Sequence, residues 1–568
     1  MRQKAIYSLV FAVLGALFFL PFLGGVHLFD WDEINFAEIS REMLLLEDYL
    51  RIHVNFEPFW EKPPLFFWFQ AMAMKLFGVN EYAARFPNAI CGIITLVLLY
   101  RMGHTLQNHR FGVLWAGTYL GSILPHLYFK SGILDPWFNL FIFLGLYGLI
   151  VYYWKKEGKA TQFHRNRFVY LVSGGLFLGL AVLIKGPTAI LIAGLCCVVY
   201  WVSKRFQWFV SLPKGILYLV AALVPPLIWI GVETAAHGSW FSVEFTRYQY
   251  RLFSTPDAGH AGFPGYHFVV LLLGCFPASI FAIRGMGLGK YGDFQDRDFW
   301  RWMMILFWVV LVLFTIVKSK IVHYSSMAYF PLTYLAAMSL DRLLDDSDRL
   351  TAWMKALLGF IAGVAVIASL ALPILGQRAE ALKPLFIGDA FAQANLEAAV
   401  QWDYWALIPG LILLGAVIGF FIWWKKQNRS RATLWLFGGG SLYVMLALIF
   451  FIKRIEGYSQ RAAVEFYQAH QQEDCYVMTF GFKSYAHIFY LDKQIPPDYD
   501  PDYVPEVGQM SFQALKTANP GWLLKGDIDK DVYVVGKIKH LPRLREMQQL
   551  EEIGQKNGFV FFKREKED

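Results

Sequence analysis

The stretch Phe29-Asp30-Trp31-Asp32-Glu33 sets three acids directly behind a long apolar segment, and about thirty residues later comes Trp60-Glu61-Lys62-Pro63-Pro64. Ionisable side chains crowded against a membrane span are costly unless something uses them, so each is a functional candidate. Further on stand Lys130 and Asp135, then Lys185 ahead of Gly186-Pro187, then Lys318-Ser319-Lys320 with His323 and Tyr324. Carboxylates beside lysines on one membrane face suit a displacement in which a phosphate is the leaving group. Lysines stabilise the departing anion, and a carboxylate takes the proton of the attacking hydroxyl. Plainer readings compete. Asp32 can cap a helix and Glu33 favours a first turn; Asp135-Pro136 can open a helix; lysines can snorkel to the headgroups. A cap needs one acid, however, and this stretch offers three.

The elements that position these residues follow from composition. The chain has 568 residues, 56% hydrophobic and 18% aromatic, with a mean hydropathy of +0.40. A water-soluble domain cannot hide that much apolar surface, whereas a bilayer can. The balance of +8 is modest and concentrated in particular loops, which argues for membrane topology and against nucleic-acid binding. Four of the five cysteines sit in apolar runs, with no disulfide framework and no CxxC pair.

At roughly 20 apolar residues per span, about thirteen spans fall near residues 5–28, 84–103, 111–128, 133–154, 168–185, 187–203, 213–236, 264–284, 300–317, 321–341, 352–375, 403–424 and 433–452. The first is read as a retained span rather than a cleaved leader. Lys185-Gly186-Pro187 marks either a tight turn or a kink within one helix. With the amino terminus inside, the inward loops carry most of the Lys and Arg, and the outward loops carry Asp30, Asp32, Glu33, Glu38 and Glu42. One inward loop is mixed, with Arg342 and Arg349 beside Asp345, Asp346 and Asp348. Under this topology Asp32, Lys62, Asp135, Lys185, Lys318 and His323 all reach the outward ends of spans.

The outward segment 30–82 contains Phe36, Ile39, Met43 and Leu46 on one helical side and Glu38, Arg41, Glu42 and Asp48 mostly on the other, the spacing of a helix lying in the interface. Leu65 to Phe77 is aromatic enough to lie there too. After Ile452 the chain turns polar. Cys475–Gly481, Asp531–Gly536 and Gly558–Phe562 read as strands, with a helix at Ser484–Leu491. Residues 454–568 are thus expected to form a small soluble α/β domain on the outer side, following a transmembrane domain of residues 1–453. No nucleotide-binding pattern accompanies it.

Trp31-Asp32-Glu33…Ala37-Glu38-Ile39…Arg41-Glu42, Trp60-Glu61-Lys62-Pro63-Pro64, Leu134-Asp135-Pro136, Ile184-Lys185-Gly186-Pro187 and Ser319-Lys320…His323-Tyr324 resemble the motifs of the ArnT/protein O-mannosyltransferase family, nearest to the bacterial transferases that move aminoarabinose to lipid A. The resemblance implies a GT-C fold and an all-α polytopic membrane enzyme. It implies sugar transfer from polyprenyl phosphate to lipid A or another envelope glycolipid, in the bacterial inner membrane with a cytoplasmic amino terminus and a periplasmic carboxyl-terminal domain. Asp32 is then the catalytic carboxylate, with Glu33 and Asp135 beside it. Lys62, Lys185, Lys318, Lys320, His323, Tyr324 and Phe59 are substrate-binding residues. Glu61 with His260 or His267 corresponds to a divalent-metal contact. Two positions depart from the pattern: Asn35 stands where an arginine is common, and Phe59 where a tyrosine is common. Both would face the donor sugar. A protein O-glycosyltransferase with a peptide acceptor, and a transporter or flippase without covalent chemistry, are the rival readings. Against the transporter, the charges sit at outward ends rather than at the midplane, and no half-to-half similarity is visible.

Overall fold

Apolar runs followed by polar caps become helices that lie side by side. The computed structural model describes residues 2–254, 262–289, 291–501, 503 and 515–566. Among these, nine helices are long and apolar enough to cross a membrane, from Arg2–Phe19 through Glu81–Leu106, Asp135–Lys156 and Arg167–Lys185 to Arg429–Glu456. Tyr266–Gly274 and Ala278–Leu288 are together apolar enough for a tenth, but they meet at a bend of 112°. The remaining three expected spans are shorter helices, His109–Leu120, Thr188–Ser203 and Tyr329–Leu344. Each of the thirteen segments therefore maps onto a helix or a helix pair. Lys185-Gly186-Pro187 is a break between two helices, with Gly186 at φ 89°.

The interior is aromatic. Tyr200 and Trp302 stack with centroids 4.1 Å apart, and Asp298 is held among them by Tyr200 (2.6 Å) and Trp154 (2.8 Å). At one end of the bundle Lys4 donates to Thr105 (2.7 Å). There the mixed loop finds its partners in other loops expected inward: Arg110 bonds Asp341 and Asp345, Arg284 bonds Asp348 (2.7 Å), and Arg429 bonds Asp346.

At the other end the helix Asp32–Leu45 lies beneath the carboxyl-terminal segment. The amphipathic pattern predicts a solvated polar side here, and the structure differs. Glu38, Arg41 and Glu42 are all buried, because Arg41 pairs with Glu38 (2.8 Å) and with Asp492 (3.0 Å), and Glu42 accepts the Phe56 N–H (2.8 Å). Protein rather than water covers that face. The segment above it carries a four-stranded sheet in the order Tyr476–Phe480, Val532–Lys537, Phe559–Arg564, Glu551–Lys556, with the first pair parallel and the others antiparallel. Three of these strands match the expected ones. Glu551–Lys556 is an edge strand with mostly exposed side chains, so it lacks the apolar alternation that marks a strand in sequence.

Candidate functional site

Asp32 opens the helix Asp32–Leu45, and Trp31 before it holds φ 73° and ψ −113°. A bulky residue on that side of the map costs ~1–3 kcal/mol and persists only where neighbours enforce it. Asp32 is about half exposed, and its Oδ2 lies 3.5 Å from His323 Nε2. The same imidazole nitrogen is 3.8 Å from Asp135 Oδ2. Asp135 is the first residue of its helix and Lys185 the last of the next, so two helix ends place their charges together. Lys185 Nζ donates to Asp135 Oδ1 at 2.8 Å and sits 5.2 Å from the Tyr324 ring centre. One turn along from Asp135, Asn139 donates to Ser326 (2.7 Å), which donates to the His323 carbonyl (2.5 Å). The turn carrying His323 is thereby pinned.

Lys62 approaches from the segment between the helices Asp32–Leu45 and Leu65–Phe77 and lies 5.6 Å from the Tyr248 ring centre. Burial lowers its pKa; Glu61, Asp32 and Asp135 pull the other way, while Lys185 adds to the depression. Its environment is therefore coupled to the same acids and the same lysine. Glu61 accepts from the Tyr248 hydroxyl (2.9 Å), and Gln249 donates to the Glu61 carbonyl (3.4 Å). Gly186 abuts this Gln249, since a Cβ there would come 3.1 Å from its Oε1.

Four expected members behave differently. The Glu33 carboxylate is fully engaged. Its carboxylate takes a two-point contact from Arg85 (2.8 and 2.7 Å) and the N–H groups of Gly132 (2.6 Å) and Phe29 (2.9 Å). Burial would raise its pKa, but Arg85 and these bonds hold it below the usual carboxylate range. Arg85 also donates to the carbonyls of Leu23, Val26 and His27, so the pair is a brace for the loop. Lys320 spends its ammonium on the carbonyls of Phe314, Thr315 and Val317 at the end of the helix Phe294–Ile316, a C-cap rather than a substrate contact. Lys318 is exposed and not drawn into the cluster. Phe59 is partly buried against the core, and its N–H bonds Ile52 (2.7 Å).

The metal reading depends on Glu61 with His260 or His267. His260 lies outside the described residues. His267 is buried with its ring against Tyr266 (5.1 Å), and Glu61 is engaged by Tyr248. Among the described residues no three His, Cys, Asp or Glu side chains gather into a donor set.

Sequence reasoning missed Arg85, Tyr248 and Gln249. Arg85 carries a signal, an arginine inside an apolar helix. Tyr248 and Gln249 lie in the helix Trp240–Ser254, between the expected spans 213–236 and 264–284.

The comparisons with known proteins agree with the motifs. A family model described as dolichyl-phosphate-mannose-protein mannosyltransferase matches residues 61–229. The chain is similar to an undecaprenyl phosphate-alpha-4-amino-4-deoxy-L-arabinose arabinosyl transferase of Pectobacterium carotovorum, with 27% identity over 430 residues, 72% of this chain and 75% of the relative. The same-named protein of Photorhabdus laumondii is 28% identical over 335 residues, 57% of this chain and 58% of its own. Among solved structures, ArnT from Cupriavidus metallidurans bound to undecaprenyl phosphate matches with a TM-score of 0.73 over 98% of both chains at 17% identity.

Proposed function

We propose that this ArnT-like, multi-pass membrane glycosyltransferase moves a sugar from undecaprenyl phosphate to lipid A or another envelope glycolipid. The observation that carries the reading is the meeting of Asp32, Asp135, Lys185 and His323, from four distant parts of the chain, within hydrogen-bond or ion-pair reach of one another. In the reaction the acceptor oxygen attacks the sugar carbon as the bond to the carrier phosphate breaks, with inversion. Asp32 takes the acceptor proton. Lys62 and Lys185 receive the negative charge that grows on the leaving phosphate. Asp135 holds Lys185 in place, and His323 orients Asp32. Tyr324 walls the lysine side. We place the amino terminus in the cytoplasm and residues 454–568 in the periplasm as a separate domain over the transmembrane unit 1–453.

The experiment is transfer by the purified protein from undecaprenyl phosphate aminoarabinose to lipid A, read by mass spectrometry. A product one pentosamine heavier is expected. No product with this donor, but product with another polyprenyl-phosphate sugar, assigns a different sugar; Asn35 and Phe59 are the positions that would carry that change. The family model favours one second reading, protein O-glycosylation. Glycopeptides from envelope protein offered in place of lipid A would establish it.

A further inference from the structure

We propose that Asp30 is a positioning residue for this reaction, a clamp through which the carboxyl-terminal segment holds Trp31 and Asp32 in their working geometry. The inference rests on the role proposed for Asp32 above.

The stretch just before Asp32 is tied to the end of the helix Arg429–Glu456 and to the segment that follows it. His27 pairs with Glu456 (3.0 Å), which Arg461 also holds. The Leu28 N–H donates to the Tyr490 hydroxyl (2.7 Å), and the Leu28 carbonyl accepts from Gln460 (2.6 Å). That same amide's oxygen accepts the Asp30 N–H (3.2 Å). The Asp30 carboxylate closes the row by accepting the Trp31 N–H (3.0 Å); burial raises its pKa, and the Ser484 side chain and the Trp31 and Tyr485 backbones oppose that rise. Trp31 follows in its left-handed conformation, with Lys483 over its indole at 5.9 Å. Its carbonyl accepts the Asn35 N–H (2.9 Å), the first bond of the helix that Asp32 opens. A strained residue between a clamp and a working carboxylate needs both ends fixed. Release of Asp30 lets Trp31 relax to negative φ and swings Asp32 off His323. A displacement of about 1 Å at a reacting group can cost on the order of 100-fold.

Hydrogen exchange of the peptide covering residues 28–35 in the full-length protein reads the clamp directly. Asp30→Ala and Ser484→Ala are expected to speed it about tenfold, a small local loss of protection. Asp30→Asn, which keeps an acceptor oxygen, and Lys530→Ala, which breaks a distant pair with Asp474, are expected to leave it unchanged. Transfer from undecaprenyl phosphate aminoarabinose to lipid A reads the consequence. Asp30→Ala is expected to lower kcat about 10- to 100-fold with donor KM within about twofold, and Asp30→Asn to restore most of it. Unchanged exchange in Asp30→Ala overturns the proposal. So does faster exchange with wild-type kcat, or an Asp30→Asn as slow as Asp30→Ala, which would make the acid itself the reagent. Full activity of Asp32→Asn would instead remove the reading beneath it.

Discussion

The two ends of the helical bundle are both rich in charge, yet they treat it differently. At the end expected inward, Asp341, Asp345, Asp346 and Asp348 each have an arginine from another loop, and the Arg284–Asp348 contact is two-point at 2.7 and 2.9 Å. At the other end one imidazole nitrogen is divided between Asp32 and Asp135 at 3.5 and 3.8 Å, and Asp32 remains half exposed. The first pattern satisfies charge and ties loops together. The second leaves a half-exposed carboxylate with its charge incompletely matched. Charge density therefore does not mark the site; incompletely matched charge does. The same contrast recurs between neighbours in sequence, since Glu33 is saturated and Asp32 is not.

The comparison is broken most severely at Asp32. Asp32→Asn keeps shape and loses basicity, so transfer is expected to fall by about 100- to 10,000-fold, the usual worth of a positioned base. The thermal unfolding midpoint is expected to stay at the wild-type value. Measured turnover near wild type would place the base elsewhere.

Next in size is Glu33→Ala. It leaves the buried Arg85 guanidinium without its carboxylate, and removing one partner of a buried pair costs about 3–5 kcal/mol. The expected signature is the reverse of that at Asp32: a large loss of folded protein in detergent thermal scans, with residual activity proportional to what remains folded. A variant as stable as wild type but inactive would return Glu33 to the chemistry.

Lys62 sharpens the outer end further. Burial sets its pKa below the ordinary lysine value near 10.4, so its charge is lost at a lower pH than that of a free lysine. Donor KM is therefore expected to climb on the alkaline side as Lys62 deprotonates. Lys62→Arg stays charged there and is expected to show a flat limb, while Lys62→Ala shows a high KM throughout. Identical alkaline limbs in wild type and Lys62→Arg would detach this lysine from the donor phosphate.

Much of this arrangement is legible in the chain before any coordinates. Spans follow from apolar length alone, and the convergence of Asp32, Asp135, Lys185 and His323 at one end of the bundle follows once loop charge sorts the span ends. The rest depends on docking between segments far apart in sequence. The saturation of Glu33 depends on Arg85 and on the Gly132 amide. Burial of Glu38, Arg41 and Glu42 depends on Asp492 and the carboxyl-terminal cover. Lys320 reads as an outward cation next to His323, yet it lies within reach of three free carbonyls at a helix end, and local capping wins. Periodicity reports which face of a helix is polar, but not whether water or protein meets that face.

The smallest expected effect lies at the end expected inward. Arg284 is about one-third exposed while Asp348 is nearly buried, so the pair is partly screened and worth about 0–1 kcal/mol. Arg284→Ala removes a tie between the helix Ala278–Leu288 and the loop after Tyr329–Leu344, and touches nothing at the Asp32 end. Transfer kinetics are expected to match wild type, with a fall in unfolding midpoint of a degree or two at most. The loss should also shrink in high salt, because the pair is accessible to counterions. A drop in kcat without a drop in stability would show that the two ends communicate. In that case the inward arginines would belong to the working cycle, and unmatched charge would no longer be enough to tell the two ends apart.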